Sequence, residues 1–193
     1  MAAQCPPITP NLPPLPLPEG IISSYIRTPA LTYHILSSGA PTPTNFTKKP
    51  LILLLHGFPE LAFSWRKVLV PLSQLTRRAP SSSSLSGRTL DDVAGALEAK
   101  KEEDGYHVVA YDQRGYGRTT GWDTRPYHDA NLDTFRMTEV VKDAVRLVNA
   151  LGYTECECIV GHDFGAVGAS LAGVMRPDVF KRYVLTWWVW NLG

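Results

Sequence analysis

The sequence has little cysteine, little net charge and no long hydrophobic run, and each absence excludes a class of protein. Three cysteines among 193 residues, an odd number, favour a reducing compartment over a disulfide framework. A formal net charge of +1 gives no sign of a nucleic-acid or acidic partner. No apolar run reaches the roughly 20 residues that a membrane-spanning helix needs, and residues 1–4 lack the features of a signal peptide. We therefore expect a cytoplasmic protein with neither a nucleic-acid nor a membrane partner.

The few cysteines also argue against a metal site. Cys156 and Cys158 are two residues apart on a predicted strand, so their side chains are expected to share one face, as small core residues do. No other cysteine and no suitably spaced histidine completes a ligand set around them. We expect neither a metal nor a cofactor.

What is present indicates one domain of the α/β class. Residues 1–19 form a leader dominated by proline, which favours an extended, polyproline-like chain lying over the surface. The core domain is expected to span residues 20–193, interrupted at 76–104 by a serine-rich and then charged stretch that predicts a surface insertion. Residues 21–36 predict a hairpin, and Leu51–Leu55 is apolar on both faces, as a central parallel strand requires.

The most informative stretch is GHDFGA, residues 161–166. An apolar run leads into it and a helix of small residues follows, so the chain must turn sharply at Asp163. Gly161 and Gly165, two residues to either side, leave the space that such a turn needs. The spacing is that of the nucleophile elbow, G-x-S-x-G, with a carboxylate in place of serine. The alternative interpretation is that Asp163 is only a helix N-cap.

A second motif, HGFPE at residues 56–60, follows strand Leu51–Leu55. If Asp163 is a nucleophile, the backbone N–H groups of Phe58 and Phe164 are the expected oxyanion-hole donors. Gly57 would allow the close approach of the backbone, and Pro59 would fix the next turn. His56, at the strand end, is expected to brace this loop by hydrogen bonds rather than to act as a catalytic base.

A third motif, DQRGYGRT at residues 112–119, follows the next predicted strand, 106–111. It lies at the carboxyl edge of the sheet, where open α/β sheets bind their ligands. Asp112 and Arg114 are expected to pair with each other and to hold this loop. The helix pattern over 133–151 and the apolar strand before residue 161 complete the alternation of strands and helices.

The three motifs in this order resemble the α/β-hydrolase family and, within it, the epoxide hydrolases, over roughly residues 20–193 apart from 76–104. The resemblance implies a mostly parallel sheet with helices on both faces, here ending after about the sixth strand. It implies that Asp163 attacks a small uncharged epoxide to form a covalent alkyl ester, which water then hydrolyses to a diol. Trp65 and His162 are expected to line the substrate pocket.

The resemblance also identifies what this chain lacks. Members of the family carry an acid, a C-terminal histidine and cap-domain tyrosines beyond the region matched here, and none of the five histidines has the position of that general base. We expect an N-terminal portion that cannot complete turnover. Two alternatives stay open: a haloalkane or haloacid dehalogenase, whose typical halide or carboxylate donors are absent at Phe58, Phe164 and Val167, and a non-catalytic interaction fragment. Residues 185–190, rich in tryptophan, predict self-association at an exposed sheet edge.

Overall fold

A six-stranded sheet organises the part of the chain that the structure, a computed structural model, describes: residues 12–40, 49–75 and 105–187. The predicted insertion at 76–104 and residues 1–11 of the leader lie outside these ranges. The strands follow the order β1-β2-β4-β3-β5-β6 across the sheet. They are β1 Ile22–Arg27, β2 Thr32–Ser38, β3 Leu51–Leu55, β4 His107–Tyr111, β5 Cys158–His162 and β6 Tyr183–Thr186. Within the same ranges three α-helices accompany them, α1 Leu69–Ser73, α2 Met137–Ala150 and α3 Phe164–Met175.

Strand β3 lies at the centre, as its continuous apolar sequence predicts. It pairs in parallel with β4 on one side and with β5 on the other, and all five of its residues are buried. Strand β6 extends the parallel part beyond β5. The predicted hairpin is confirmed: β1 and β2 are antiparallel, and β2 joins the sheet through β4.

Apolar side chains cover both faces of the sheet. On one face Leu53, Leu55 and Val109 pack with the buried sides of α2 and α3. On the other face Leu54 and Ala110 pack with Leu69 of α1. Helices therefore lie on both faces of a mostly parallel sheet, and the predicted α/β-hydrolase architecture is confirmed. The three parallel strands β3, β4 and β5 direct their carboxyl ends to one edge, where all three motifs lie.

Two helices are shorter than the sequence pattern predicts. The sequence that follows HGFPE predicts an amphipathic helix to about residue 75. Instead, a 3₁₀ turn over Ala62–Lys67 precedes the short helix α1, which contains Pro71. Proline is tolerated in the first turn of a helix but cannot donate a backbone hydrogen bond deeper inside one. Helix α2 begins at Met137 rather than at residue 133, because Leu132–Phe135 forms a separate 3₁₀ turn capped by the side chain of Asn131.

The prediction that Cys156 and Cys158 share a face is wrong. Cys156 is fully buried on the face that carries Leu53, whereas Cys158 packs on the opposite face with Leu54. Regular strand geometry begins only at Cys158, and Cys156 forms an isolated bridge to Phe180. The bend at Glu157 breaks the two-residue alternation from which the shared face was inferred.

The two ends of the described chain differ in how they are covered. Leu15 and Leu17 of the leader pack against the face that carries Leu54, in keeping with a leader that lies over the surface. Strand β6 is an edge strand, and all four of its residues are exposed. Within the described ranges, no helix is long and apolar enough to cross a membrane.

Candidate active site

The turn between β5 and α3 holds its central residue in a strained backbone. Asp163 has φ 52° and ψ −120° and is the one non-glycine residue with positive φ in the described part of the chain. The two glycines that lie two residues to either side of Asp163 have no room for side chains. A Cβ on Gly161 would lie 2.1 Å from the carbonyl oxygen of Gly165, and a Cβ on Gly165 would lie 2.4 Å from that of Leu55. Strand and helix can meet this closely only because both positions are glycine.

The carboxyl group of Asp163 faces the loop that follows β3, not its own helix. Its Oδ1 accepts a hydrogen bond of 3.0 Å from the backbone N–H of Phe58, and it makes no capping hydrogen bond to α3. The hydrogen bond from the backbone N–H of Phe58 and, after it, the nearby backbone N–H of Phe164 lower the pKa of this carboxyl below its ordinary value. Asp163 is therefore ionised at neutral pH, which is the form that can act as a nucleophile.

The loop of residues 56–60 is held against this carboxyl by contacts that require glycine. A Cβ on Gly57 would lie 2.6 Å from the Cβ of Asp163. Glu60 connects the loop with the elbow: its Oε2 accepts from the backbone N–H of Gly57 at 3.2 Å and lies 3.0 Å from Nδ1 of His162. The peptide bond between Phe58 and Pro59 is cis. The loop of residues 56–60 and the turn at Asp163 are thus joined by side-chain as well as backbone contacts.

His56 is buried beneath the loop with both ring nitrogens engaged. Its Nε2 accepts from the backbone N–H of Gln113 at 3.0 Å, so Nδ1 carries the proton and donates to the carbonyl oxygen of Gly57 at 2.8 Å. Gln113 returns a bond of 2.6 Å from its side-chain amide to the carbonyl of His56. Burial lowers the pKa of His56, which keeps the ring neutral at physiological pH. The contacts of His56 are those of a brace between the second and third motifs.

Asp112 and Arg114 do not pair with each other, which corrects the sequence-based expectation. Asp112 accepts from Nδ1 of His34 at 2.8 Å and from the backbone N–H groups of Ala62 and Arg118, both at 2.9 Å. Arg114 instead forms a bidentate ion pair with Asp143 of α2, at 2.8 and 2.7 Å. The two side chains serve the same loop, but each is anchored to a different part of the fold.

Asp143 is the charged residue that the sequence analysis missed. It is buried, and besides Arg114 it accepts from the hydroxyl of Tyr33 at 3.0 Å and from Arg146 at 3.0 Å. One signal was available: an aspartate stands among the apolar residues Val141 and Ala144 on the inner face of α2. A carboxylate in that position requires partners.

A cleft of about 230 Å³ lies beside the elbow. The ring of Phe164, one of its lining residues, lies 6.4 Å from the ring of Phe58, and Phe58 and Phe164 are exposed by 61% and 62%. The cleft is lined by Gly57, Gln113, Arg114, Tyr116, Phe135, Met137, Val140 and Phe164. Trp65 and His162, which the sequence assigned to the pocket, pack edge to face at 6.5 Å and are not among these lining residues. Their assignment to a substrate pocket stays a prediction.

All five histidines fall within the described ranges. His34, His56 and His107 are buried, His128 is exposed beside Asp129, and His162 is half-buried with Nδ1 towards Glu60. Among the residues that the structure describes, no three His, Cys, Asp or Glu side chains are grouped so as to hold a metal ion.

Comparison with known proteins identifies the class to which this fold and elbow belong. Residues 50–186 match the family described as alpha/beta hydrolase fold. The chain belongs to this family.

Within the family, the chain is similar to proteins named epoxide hydrolases. It is 29% identical to Epoxide hydrolase 4 of Homo sapiens, covering 83% of this chain and 32% of that protein. It is 31% identical to Epoxide hydrolase 3 of Siraitia grosvenorii, covering 82% and 36%. A solved epoxide hydrolase from an endophytic Streptomyces superposes with a TM-score of 0.58 at 32% identity, covering 87% of this chain and 37% of that one. The chain thus spans about a third of the length of the relatives it matches.

Proposed function

We propose that Asp163 is the nucleophile of an epoxide hydrolase-type reaction. The observation that supports this most directly is the carboxylate at the strained elbow, with Oδ1 3.0 Å from the N–H of Phe58 and Oδ2 left for attack. In the first step Oδ2 forms a bond to an epoxide carbon while the ring C–O bond breaks. The released alkoxide takes a proton from solvent water, which leaves as hydroxide, and the product is a hydroxyalkyl ester of Asp163.

The oxyanion hole serves the second step. Once Oδ2 carries the alkyl group, Oδ1 becomes the carbonyl oxygen of the ester and already lies beside the N–H of Phe58. When water attacks Cγ, negative charge develops on Oδ1, where the N–H groups of Phe58 and Phe164 stabilise it. The loss of one such donor raises a barrier of this kind by about 3–4 kcal/mol.

The surroundings of the carboxylate favour a small uncharged substrate. Phe58 and Phe164 flank it, and neither side chain can donate a hydrogen bond to a departing halide or to a substrate carboxylate. In the adjoining cleft, the guanidinium of Arg114 is already engaged in a bidentate pair with Asp143. An apolar epoxide matches these features better than a haloacid, and the relatives named epoxide hydrolases support the same choice.

The 193-residue chain is proposed to form the ester faster than it hydrolyses it. Nδ1 of His162 lies against Glu60, and His56 is neutral with both nitrogens engaged, so neither is placed as the base that activates water at Asp163. A positioned general base contributes about 10²–10⁴-fold to such a step. The alkylated form should therefore accumulate.

Mass spectrometry of the 193-residue chain incubated with an aryl epoxide tests both parts of the proposal. We expect one adduct per chain, located by peptide mapping at Asp163, in the unsubstituted protein and in the matched control Asp129→Asn, which alters an exposed aspartate. Asp163→Asn and Asp163→Ala should show no adduct. Equal labelling of these two variants would exclude Asp163 as the nucleophile. Steady diol formation by the unsubstituted chain would instead refute only the slow second step.

A further inference from the structure

Three polar residues form a row across the antiparallel part of the sheet, away from the elbow. Ser23 lies on β1, His34 on β2, and Asp112 directly follows β4. The strand register pairs Ser23 with Leu36 and Tyr25 with His34, so Ser23 and His34 face the same side of the sheet. Asp112 is adjacent to His34, whose carbonyl oxygen accepts its backbone N–H at 3.0 Å. The topology thus places a hydroxyl, an imidazole and a carboxylate side by side.

The hydrogen bonds in this row fix the direction of proton donation. Nδ1 of His34 is 2.8 Å from Oδ2 of Asp112, and Nε2 is 2.9 Å from the hydroxyl oxygen of Ser23. Burial acts to raise the pKa of Asp112, but hydrogen bonds from His34, Arg118 and Ala62 outweigh it and lower that pKa. The ionised carboxylate can only accept, so Nδ1 carries a proton, and in the neutral ring Nε2 then accepts from the hydroxyl of Ser23.

Accessibility changes along the row in the order that a nucleophile requires. Asp112 and His34 are 2% and 1% exposed, whereas Ser23 on the edge strand is exposed. The ring of Tyr25 packs 5.3 Å from that of His34 and helps to hold it. A buried acid that orients a shielded imidazole, which contacts an accessible hydroxyl, is the arrangement by which serine is activated on unrelated folds.

We propose that Ser23, with His34 as its base and Asp112 as the residue that orients the imidazole, is a second nucleophile that accepts acyl groups from activated esters. The oxygen of Ser23 attacks the ester carbonyl carbon, and its proton passes to Nε2 of His34. The carbon–oxygen bond to the leaving alcohol then breaks, the alcohol receives the proton from His34, and the acyl group remains on Ser23. A positioned base accelerates such a step by about 10²–10⁴-fold.

Acetylation by p-nitrophenyl acetate, located by peptide mapping of the 193-residue chain, tests this proposal. We expect one acetyl group on Ser23, acquired at least tenfold faster than by a synthetic peptide of residues 20–27. Ser23→Ala should remove it. The matched control Ser24→Ala, in the adjacent position that faces the other side of β1, should retain it.

Two further variants separate the base from the fold and from the elbow. His34→Gln should slow acetylation of Ser23 at least tenfold, and its circular dichroism and melting curve check that it is folded. If His34→Gln is unfolded, the proposal is tested instead by the acetylation rate of Ser23 in the unsubstituted chain relative to that in the peptide. Asp163→Asn should leave acetylation unchanged, and Ser23→Ala should leave alkylation of Asp163 unchanged, so this site and the proposed epoxide site can fail independently. Acetylation of Ser23 at the rate of the peptide, or equally of Ser24, would overturn the proposal.

Discussion

The strain at Asp163 can be measured by replacing it with glycine. At φ 52° and ψ −120° a residue with a side chain occupies a sparsely populated backbone region, which costs about 1–3 kcal/mol. Glycine adopts this conformation freely but loses about 0.5–1 kcal/mol to the greater entropy of the unfolded chain. Asp163→Ala keeps the strain, and both variants lose the hydrogen bond from Phe58. The difference between the two variants therefore isolates the backbone contribution.

We expect Asp163→Gly to be more stable than Asp163→Ala by about 1 kcal/mol, because a typical strain of about 2 kcal/mol exceeds an entropic loss of about 1 kcal/mol. For a chain of this size that corresponds to about 2–4 °C in melting temperature, which thermal unfolding followed by circular dichroism resolves. Neither variant should be alkylated by an epoxide. The glycine variant would then be the more stable of two equally inactive variants, as expected where backbone strain is stored at this residue. An Asp163→Gly variant that melts at or below Asp163→Ala would show that the elbow is not strained.

Three further predictions concern residues outside the elbow. Asp143→Ala leaves the largely shielded guanidinium of Arg114 unpaired and should lower the free energy of unfolding by about 3–5 kcal/mol. Arg146→Ala, at a half-exposed partner, should lower it by no more than about 1 kcal/mol. Equal values in urea titrations would contradict the assigned network. Burial, reinforced by a nearby lysine, lowers the pKa of His107 from 6.5 to about 4, so the folded state resists protonation and about 3 kcal/mol of stability should be lost as the pH falls from 6.5 to 4. Stability of His107→Gln should depend less on pH in this window, and parallel curves for the two proteins would refute the assignment. Val184→Lys on the exposed edge strand should raise the monomeric fraction in gel filtration if copies of the chain associate there, and an unchanged elution profile would argue against that association.

The elements that are predicted best are those that depend on the residue types within one short segment. The apolar run of β3 requires burial on both faces, and the closely spaced glycines around Asp163 require a tight turn, wherever these segments lie in the fold. The predicted proximity of Phe58 and Asp163 depends in addition on the rule that parallel strands end at a common edge of the sheet. The hydrogen bond between them agrees with that rule. The roles assigned to these residues in a reaction stay predictions.

The errors and omissions have a common cause. Closeness in sequence favours a pair between Asp112 and Arg114, but each side chain bonds instead to a residue that the fold brings next to it, His34 and Asp143 respectively. The partners lie 78 and 29 residues away along the chain. Cys156 and Cys158 are expected to share a face because they are two residues apart, but the bend between them interrupts the strand alternation on which that expectation depends.

The class of fold, the sharp turn at Asp163 and the order of the three motifs follow from the sequence, because periodicity and small-residue spacing act within a few neighbouring residues. The pairing of the charges, the position of the cleft and the contact between Ser23 and His34 become visible only in the folded chain. Those contacts depend on strand register and helix packing, which bring together segments whose sequences do not indicate that they will be in contact. Burial then fixes them, since a polar group removed from water must find a partner in the fold.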